Sequence, residues 1–173
     1  MLIDGDVRRG TLHRLLGGSR KPGLTDYLAG SASRESIVQP TGYPSVSFIA
    51  SGTRQHTSPE LLGSPALLEL LAAMRPTFNV ILMDSPPLGA GIDPFVLGTA
   101  TRNMLLVLRT GSTDKELARA KLDALDRLPI RLLGAVLNDV PEIGMYYRYY
   151  SYLSGYATED EQDFAARQLP GAD

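Results

Sequence analysis

The chain has 173 residues, of which 43% are hydrophobic and 21% charged, so it can fold as one domain with its own core and is not a disordered tail. Its 17 basic and 19 acidic residues give a net charge of −2, which argues against a broadly basic nucleic-acid-binding protein. The absence of cysteine excludes disulfides, a thiolate nucleophile and cysteine-ligated metals, and two histidines are too few for a histidine-rich metal centre. Because no run of 18 apolar residues predicts a membrane span, we expect a soluble cytoplasmic protein.

Five apolar runs predict the strands of a buried sheet. They lie at residues 1–4, 46–50, 80–83, 104–108 and 132–137. Each is apolar at consecutive rather than alternate positions, which is typical of parallel strands covered on both faces. Residues 30–45, between the first two runs, are expected to form a loop-rich insertion or a short helical excursion.

Helix-start signals lie between the later runs. They are Ser64 before Pro65, Asp93 before Pro94, and a capping box formed by Thr113 and Glu116. The first helix is expected to bury a stripe made of Leu67, Leu68, Leu71 and Met74. Strands that alternate with helices predict an α/β fold in which a mostly parallel sheet carries helices on both faces.

Functional residues of such a sheet lie beyond the carboxyl ends of its strands. This rule selects Asp4 and Asp6 after the first run, Asp84 after the third, residues 109–113 after the fourth, and Asn138 after the fifth. A glycine separates the first two acids, and the missing side chain lets their carboxylates converge on one cation. The same pair of acids is equally typical of an ordinary turn at a strand end.

The run at residues 80–83 leads into Asp84-Ser85-Pro86-Pro87, which has the form of a Walker B motif. The carboxylate of such a motif organises the magnesium shell of a bound nucleotide. Two successive prolines prevent continuation of helix or sheet and fix the path by which the chain leaves the strand. These features make Asp84 a candidate magnesium ligand.

Six of the eight tyrosines fall within eleven residues near the C-terminus, namely Tyr146, Tyr147, Tyr149, Tyr150, Tyr152 and Tyr156. They follow neither helical nor strand spacing, and a core could not supply a hydrogen-bond partner for six phenol groups. Three interpretations remain open: an aromatic platform for single-stranded nucleic acid, a contact between subunits, and a cluster of phosphate acceptors. The first is weakened because Arg148 is the only positive charge within the cluster.

Together these motifs resemble the bacterial tyrosine kinases (BY-kinases), which act in capsule and exopolysaccharide synthesis and have a P-loop ATPase fold of the MinD/ParA type. The resemblance runs from Met1 to about Tyr156. Residues 2–8, Leu-Ile-Asp-Gly-Asp-Val-Arg, are similar to the family's Walker A′ motif, and residues 80–87 to its Walker B motif. The similarity includes residues 59–64, Pro-Glu-Leu-Leu-Gly-Ser, and the last apolar run.

The resemblance implies an ATP- and Mg²⁺-dependent protein tyrosine kinase that phosphorylates its own tyrosine cluster in trans, within a ring of identical subunits. Asp4 would be the base that accepts the phenol proton, and Asp6 and Asp84 would hold magnesium or its waters. The roles of Asp4 and Asp6 could be reversed. Arg8 and Asn138 would contact the nucleotide, with Asn138 at the adenine ring.

The chain departs from the family pattern in one respect. It contains no Gly-x-x-x-x-Gly-Lys-[Ser/Thr] phosphate loop, which in the family precedes the Walker A′ motif. We therefore expect a kinase domain that lacks its first strand, phosphate loop and first helix, through a wrongly assigned start or a truncated gene. We expect such a domain to bind ATP poorly or not at all and to be inactive by itself. It would also leave residues 1–3 without a neighbouring strand that pairs with and covers them.

Three segments are predicted: a core at residues 1–144, an acceptor tail at 145–156, and an acidic tail or short helix at 157–173. The expected partners are further copies in a ring, a membrane-spanning polysaccharide co-polymerase part or activator, and a protein-tyrosine phosphatase, but not nucleic acid. Such a partner, or an amino-terminal half, would place the kinase at the inner face of the cell membrane. The alternative function is a MinD/ParA-like ATPase switch or a catalytically inactive scaffold.

Overall fold

The computed structural model describes residues 1–54 and 58–140, without the side chains of residues 58 and 59. Helices and strands alternate through most of this part, as an α/β fold requires. In chain order the elements are β1 Leu2–Asp4, α1 Leu12–Leu15, α2 Leu24–Leu28, α3 Arg34–Ile37, β2 Val38–Pro40, β3 Ser47–Ile49, α4 Ser58–Leu62, α5 Pro65–Met74, β4 Leu82–Asp84, α6 Asp93–Thr101, β5 Asn103–Arg109, α7 Lys115–Leu125 and β6 Arg131–Asn138. None of these helices is long and apolar enough to cross a membrane.

Four strands form one sheet in the order β2-β3-β1-β4. Strand β1 is parallel to both of its neighbours, with Ile3 opposite Ile49 of β3 and opposite Met83 of β4. Strand β2 is antiparallel to β3 and lies at one edge of the sheet, and β4 lies at the opposite edge. The predicted α/β fold with a mostly parallel sheet is therefore confirmed, while residues 30–45 contribute a helix and an edge strand that the sequence did not separate.

The prediction that residues 1–3 would lack a covering neighbour is wrong. Strand β1 is bonded on both sides, and the terminal amino group of Met1 donates to the carbonyl oxygen of Val80 at 2.9 Å. Ile3 is fully buried as a result. In the described part of the chain β4 rather than β1 lies at an edge of the four-stranded sheet. Leu82 of β4 and Val80, two residues before the strand, are 58% and 60% exposed.

Strands β5 and β6 form a second, two-stranded sheet. At the start of the two strands, the amide of Arg131 donates a hydrogen bond to the carbonyl oxygen of Arg102. At their end, the amide of Thr110 donates one to the carbonyl oxygen of Asn138. Both strands therefore run in the same direction. Every residue of β6 is exposed, which differs from the predicted buried run.

The chain divides into two compact units. The first comprises Met1–Leu105 and Asp114–Gly134, and the second comprises Leu106–Thr113 and, within the described residues, 135–140. The first unit contains the four-stranded sheet and a core in which Ile3, Ile49 and Leu97 pack together. Complete burial of an aliphatic side chain of this size contributes about 1.5–3 kcal/mol relative to exposure.

Helix α5 presents most of its predicted apolar stripe to that core. Its buried residues are Leu67, Leu70, Leu71 and Met74. Leu68 was expected among them but is 55% exposed. The buried stripe of α5 therefore includes Leu70 and excludes Leu68.

Two of the three predicted helix caps are shifted by one residue. Asp93 lies within the first turn of α6, after Ile92, and its carboxylate is used elsewhere. Asp114, rather than Thr113, caps α7 by accepting a hydrogen bond from the Leu117 amide at 2.8 Å. Thr113 is not free for this role because its hydroxyl oxygen accepts a hydrogen bond from the Arg109 amide.

Candidate active site

Asp4 and Asp84 end neighbouring parallel strands and are direct register partners. Partners in register on adjacent parallel strands project their side chains to the same face of a sheet. Asp4 and Asp84 therefore lie side by side at the carboxyl ends of their strands. Gly5 follows Asp4 and donates its amide to the Asp84 carbonyl oxygen at 2.9 Å, and a Cβ on Gly5 would lie 2.5 Å from that oxygen. Glycine is needed here because the two chains approach so closely.

The Asp4 carboxylate is completely buried and incompletely bonded. Its Oδ2 accepts a hydrogen bond from the Leu12 amide at 3.2 Å, and among the described residues none lies in hydrogen-bonding geometry to its Oδ1. Burial raises the pKa of Asp4 from 3.8 to about 6, and the negative charges of Asp84 and Asp6 add to the effect, while the backbone amides of Leu12 and Asp6 oppose it. A carboxylate with this pKa is ionised at neutral pH and is a stronger base than an exposed one.

Asp84 is the last residue of β4 and is exposed. Partial desolvation raises its pKa, the nearby charge of Asp6 raises it further, and the hydrogen bond from the Ser85 amide lowers it. Asp6 therefore raises the pKa of both other acids, which shows that the three carboxylates share one electrostatic environment.

The loop after β1 holds Asp6 in a defined orientation. Oδ1 of Asp6 accepts hydrogen bonds from the amides of Arg8 at 3.1 Å and Arg9 at 2.7 Å. The Arg8 side chain, which we expected to contact nucleotide, donates its Nε to Oδ2 of Asp93 at 2.8 Å. One residue thus binds Asp6 with its backbone and Asp93 with its side chain.

Sequence reasoning missed two residues next to Asp4. A Cβ on Gly10 would lie 2.5 Å from both Asp4 Oδ2 and Ser51 Oγ, so these oxygens flank the same point. Ser51 is 1% exposed, and its hydroxyl has no hydrogen-bond partner among residues 1–54 and 58–140. No sequence signal marks Ser51, whereas Gly10, six residues after an acid at a strand end, could have been read as a close-approach glycine.

The acids do not form a complete metal site by themselves. Among residues 1–54 and 58–140, no three His, Cys, Asp or Glu side chains are arranged to hold a metal ion. Magnesium in phosphoryl-transfer sites usually takes one or two carboxylates, with water and substrate phosphate completing its shell. Hard carboxylate oxygens and the unpartnered Oδ1 of Asp4 fit such an incomplete site.

The remaining predicted site residues lie elsewhere. Asn138 ends β6, and its Oδ1 accepts a hydrogen bond from the Asp139 amide at 2.9 Å, which leaves its side-chain amide nitrogen to act as a donor. It belongs to the second unit, whereas the three acids belong to the first. The six predicted acceptors lie outside the described residues, namely Tyr146, Tyr147, Tyr149, Tyr150, Tyr152 and Tyr156.

The first unit also contains a cavity between three of its helices. It has a volume of about 980 Å³ and lies between α5, α6 and α7. Leu67, Phe95 and Val96 are among the apolar side chains that line it, and Lys121 lies over the Phe95 ring at 5.9 Å from the centroid. It contains none of the predicted site residues.

No protein-family profile matches the chain. The tyrosine-protein kinase Wzc of Salmonella typhi is 31% identical over 88% of this chain and 21% of its own length. The chain spans about a fifth of the length of most curated kinases that it matches.

Solved structures of kinase domains are also similar to this chain. The kinase domain of the Escherichia coli tyrosine kinase ETK superposes with a TM-score of 0.78 at 30% identity, covering 82% of this chain and 55% of that one. MinD of Pyrococcus horikoshii, complexed with Mg-ADP, has a TM-score of 0.60 at 20% identity over 79% of this chain and 56% of its own, which shows the fold alone. The VpsO kinase domain has a TM-score of 0.75 at 30% identity, and the match covers 81% of this chain and 70% of that domain. This chain therefore belongs to the bacterial tyrosine kinase family.

Proposed function

We propose that this chain is part of an ATP-dependent protein tyrosine autokinase that regulates the polymerisation and export of exopolysaccharide or capsule. The observation that carries the proposal is the in-register pair of Asp4 and Asp84 on adjacent parallel strands, with Asp6 in the loop beside them. Family membership and the tyrosine cluster after residue 145 make tyrosine the expected acceptor.

The chemistry requires a base close to an acceptor hydroxyl. A tyrosine hydroxyl has a pKa of about 10 and is a poor nucleophile at neutral pH. We assign Asp4 as the base, because burial has moved its pKa to about 6. The proton of the phenol would pass to Asp4 as the phenol oxygen attacks the γ-phosphorus of ATP, and the bond from that phosphorus to the bridging oxygen would break to release ADP. Asp6 is the alternative base, since its side chain is only half-buried.

Asp6 and Asp84 would hold magnesium or its water ligands. Magnesium bound with ATP would supply positive charge that offsets the negative charge developing on the transferred phosphoryl group. Burial is the main cause that raises the pKa of Asp4 and Asp84, and the negative charge of Asp6 adds to it. A divalent cation would offset both effects, which supports this assignment. Arg8 and Asn138 are the proposed nucleotide contacts, Asn138 through its side-chain amide nitrogen, which is a hydrogen-bond donor.

Phosphorylation is proposed to occur in trans within a ring of identical subunits. Each phosphate adds about −1.5 to −2 charges at neutral pH, so several on one tail would repel one another and the acidic segment at residues 159–163. This repulsion gives a physical route by which phosphorylation loosens the ring. A membrane-spanning co-polymerase part or activator would place the kinase at the inner face of the membrane, and a protein-tyrosine phosphatase would reset it.

The test uses a longer version of the chain that includes the residues encoded upstream of Met1 and carries a Gly-Lys-[Ser/Thr] phosphate loop. With labelled ATP and Mg²⁺ it should incorporate phosphate into the tyrosine cluster, and both Asp4→Ala and Asp84→Ala should abolish labelling. Asp123→Ala is the matched control, because Asp123 is an exposed acid on α7. Mixing an Asp84→Ala protein with one that lacks its tyrosines tests phosphorylation in trans.

Mass spectrometry separates the possible outcomes. Phosphotyrosine within residues 146–156 supports the proposal. Phosphate found only on serine or threonine would contradict it. ATP hydrolysis without any protein labelling would favour a MinD/ParA-like switch, and neither activity would favour a scaffold.

A further inference from the structure

We propose that Asp93 is a positioning residue that acts through Arg8 to fix the orientation of Asp6. The inference rests on the proposed function, since it concerns how a magnesium-binding acid is held. It assigns a role in the site to a residue that the sequence marked only as a helix start.

The contact between Asp93 and Arg8 is bidentate. Nε of Arg8 donates to Oδ2 of Asp93 at 2.8 Å, and Nη2 donates to Oδ1 at 3.5 Å. Asp93 is 2% exposed, whereas the Arg8 side chain is 53% exposed. Two other acids, Asp6 and Glu60, lie near enough to raise the pKa of the Arg8 guanidinium further, so Asp93 is not its only acidic neighbour. Asp93 is the acid that bonds it directly.

Burial explains why this carboxylate is tied to one partner. A carboxylate removed from water is costly unless a charged donor compensates it. In the described part of the chain Arg8 is the side chain that supplies this compensation to Asp93. If the Arg8 guanidinium moved away, the buried carboxylate of Asp93 would be left without a compensating charge. The side chain of Arg8 is therefore anchored at Asp93.

The backbone end of Arg8 carries the effect to the site. Its amide and that of Arg9 both donate to Oδ1 of Asp6. The Gly10 amide also donates to the carbonyl oxygen of Asp6, which closes the loop on itself. Anchoring Arg8 thus restricts rotation of Asp6 about its side-chain bonds and leaves its second carboxylate oxygen aimed in one direction.

The pair also joins two parts of the site that are distant in sequence. Arg8 follows β1 and its acid Asp4, while Asp93 opens α6 at the end of the loop that follows β4 and Asp84. The distance between Asp6 and Asp84 is therefore controlled by a contact outside the sheet. We infer that loss of this contact loosens Asp6 relative to Asp84 without moving either strand.

The first test measures the loop in the chain as it stands. Amide hydrogen exchange of Arg8 and Arg9, followed by NMR, should be about tenfold faster in Asp93→Asn than in the parent, because the hydrogen bonds to Asp6 open more often. Glu35→Gln is the matched control, since it removes the same charge from an exposed ion pair of 2.9 Å with Arg34. Asp93→Glu keeps the charge and should recover most of the protection.

The second test uses the longer, phosphorylating version of the chain. Asp93→Asn should raise the Mg²⁺ concentration for half-maximal autophosphorylation by about fivefold, equivalent to about 1 kcal/mol, and lower the rate at saturating Mg²⁺ by less. Asp93→Glu should restore the Mg²⁺ dependence. Thermal unfolding of each variant identifies any that fail to fold. In that case Arg8→Lys, which loses the bidentate geometry and keeps the charge, replaces Asp93→Asn in the amide-exchange test, where no nucleotide is present, and faster exchange of the residue 8 and residue 9 amides is again the expected result.

The outcomes are distinct. Unchanged exchange of the Arg8 and Arg9 amides in Asp93→Asn overturns the inference, whatever the kinase does. Faster exchange with an unchanged Mg²⁺ dependence also overturns it, because Asp93 would then be merely structural. If the longer parent chain labels no tyrosine, the proposed function fails, and the exchange result alone decides whether Asp93 positions Asp6.

Discussion

Two regions of the molecule repeat the same pattern with opposite burial. Strand β1 and its loop combine an apolar strand, a terminal acid at Asp4, and an Arg8–Asp93 ion pair of 2.8 Å. Strand β6 combines an apolar strand, a terminal amide at Asn138, and an Arg109–Asp139 ion pair of the same length. Ile3 and Asp4 are fully buried, whereas every residue of β6 is exposed.

The difference shows that neighbours, rather than the strand's own residues, decide what a pattern contributes. Strand β1 is bonded to β3 and β4, and helices of the same unit pack against its side chains. Strand β6 is bonded to β5 alone in the described part of the chain. Apolar side chains and ion pairs should therefore stabilise the first region strongly and the second weakly. Matched substitutions in the two regions measure this difference as a change in the free energy of unfolding.

The largest expected contrast lies between the strands themselves. Ile3→Ala should lower the free energy of unfolding by about 2–5 kcal/mol, because it opens a cavity in a close-packed core. Leu133→Ala, at a side chain that is 58% exposed, should change it by about 0.5 kcal/mol or less. Urea unfolding of both variants gives the comparison, and equal losses would contradict the burial contrast.

The second-largest expected effect is a pH-dependent gain in stability when Asp4 is replaced by asparagine. Its pKa in the folded chain, about 6, exceeds its ordinary 3.8, so the folded state holds the proton more tightly than the unfolded state. The free energy of unfolding therefore falls as pH rises from 3.8 to 6 and stays lower above that range. Asp4→Asn should add about 1–3 kcal/mol at pH 7.5 and little at pH 4.

Urea unfolding at both pH values checks this prediction. Asp126→Asn, at an exposed acid after α7, serves as the control and should show no comparable gain. A gain at Asp4→Asn that is equal at both pH values would mean that altered packing, not ionisation, is responsible.

The smallest expected contrast lies between the ion pairs. Asp93→Asn should lower the free energy of unfolding by about 1–2 kcal/mol, since it leaves a buried site with a weaker partner for Arg8. Asp139→Asn should cost about 0–1 kcal/mol, and adding salt should erase that loss, because Arg109 and Asp139 are 66% and 57% exposed. A loss at Asp139 as large as that at Asp93 would break the comparison.

Sequence patterns located most of the strands and the Asp4–Asp84 pair, because consecutive apolar residues and terminal acids are local signals. They misplaced what depends on tertiary contacts. The two-sided pairing of β1 arises from β3 and β4, whose positions the run at residues 1–4 does not encode. Leu68 has the chemistry of a core residue, and only the direction in which α5 packs leaves it exposed.

The candidate site divides in the same way. Asp4, Asp6 and Asp84 could be found because each ends or follows an apolar run. Asp93 could not, because its partner Arg8 lies 85 residues away, and a local pattern assigns an acid before proline to a helix cap. Ser51 belongs to no sequence pattern, and the structure draws attention to it because its buried hydroxyl has no partner in the part of the chain that is described.

The one-sided pairing of β4 has a practical consequence for handling the protein. Within the described residues, β4 has no strand on its outer side, and Leu82 on β4 and Val80 just before it are exposed, which makes this edge a template for association with other chains. The isolated chain should therefore scatter light increasingly as its concentration is raised and should be recovered in low soluble yield. Leu82→Lys, which places a charge on this strand, should raise the concentration at which turbidity appears.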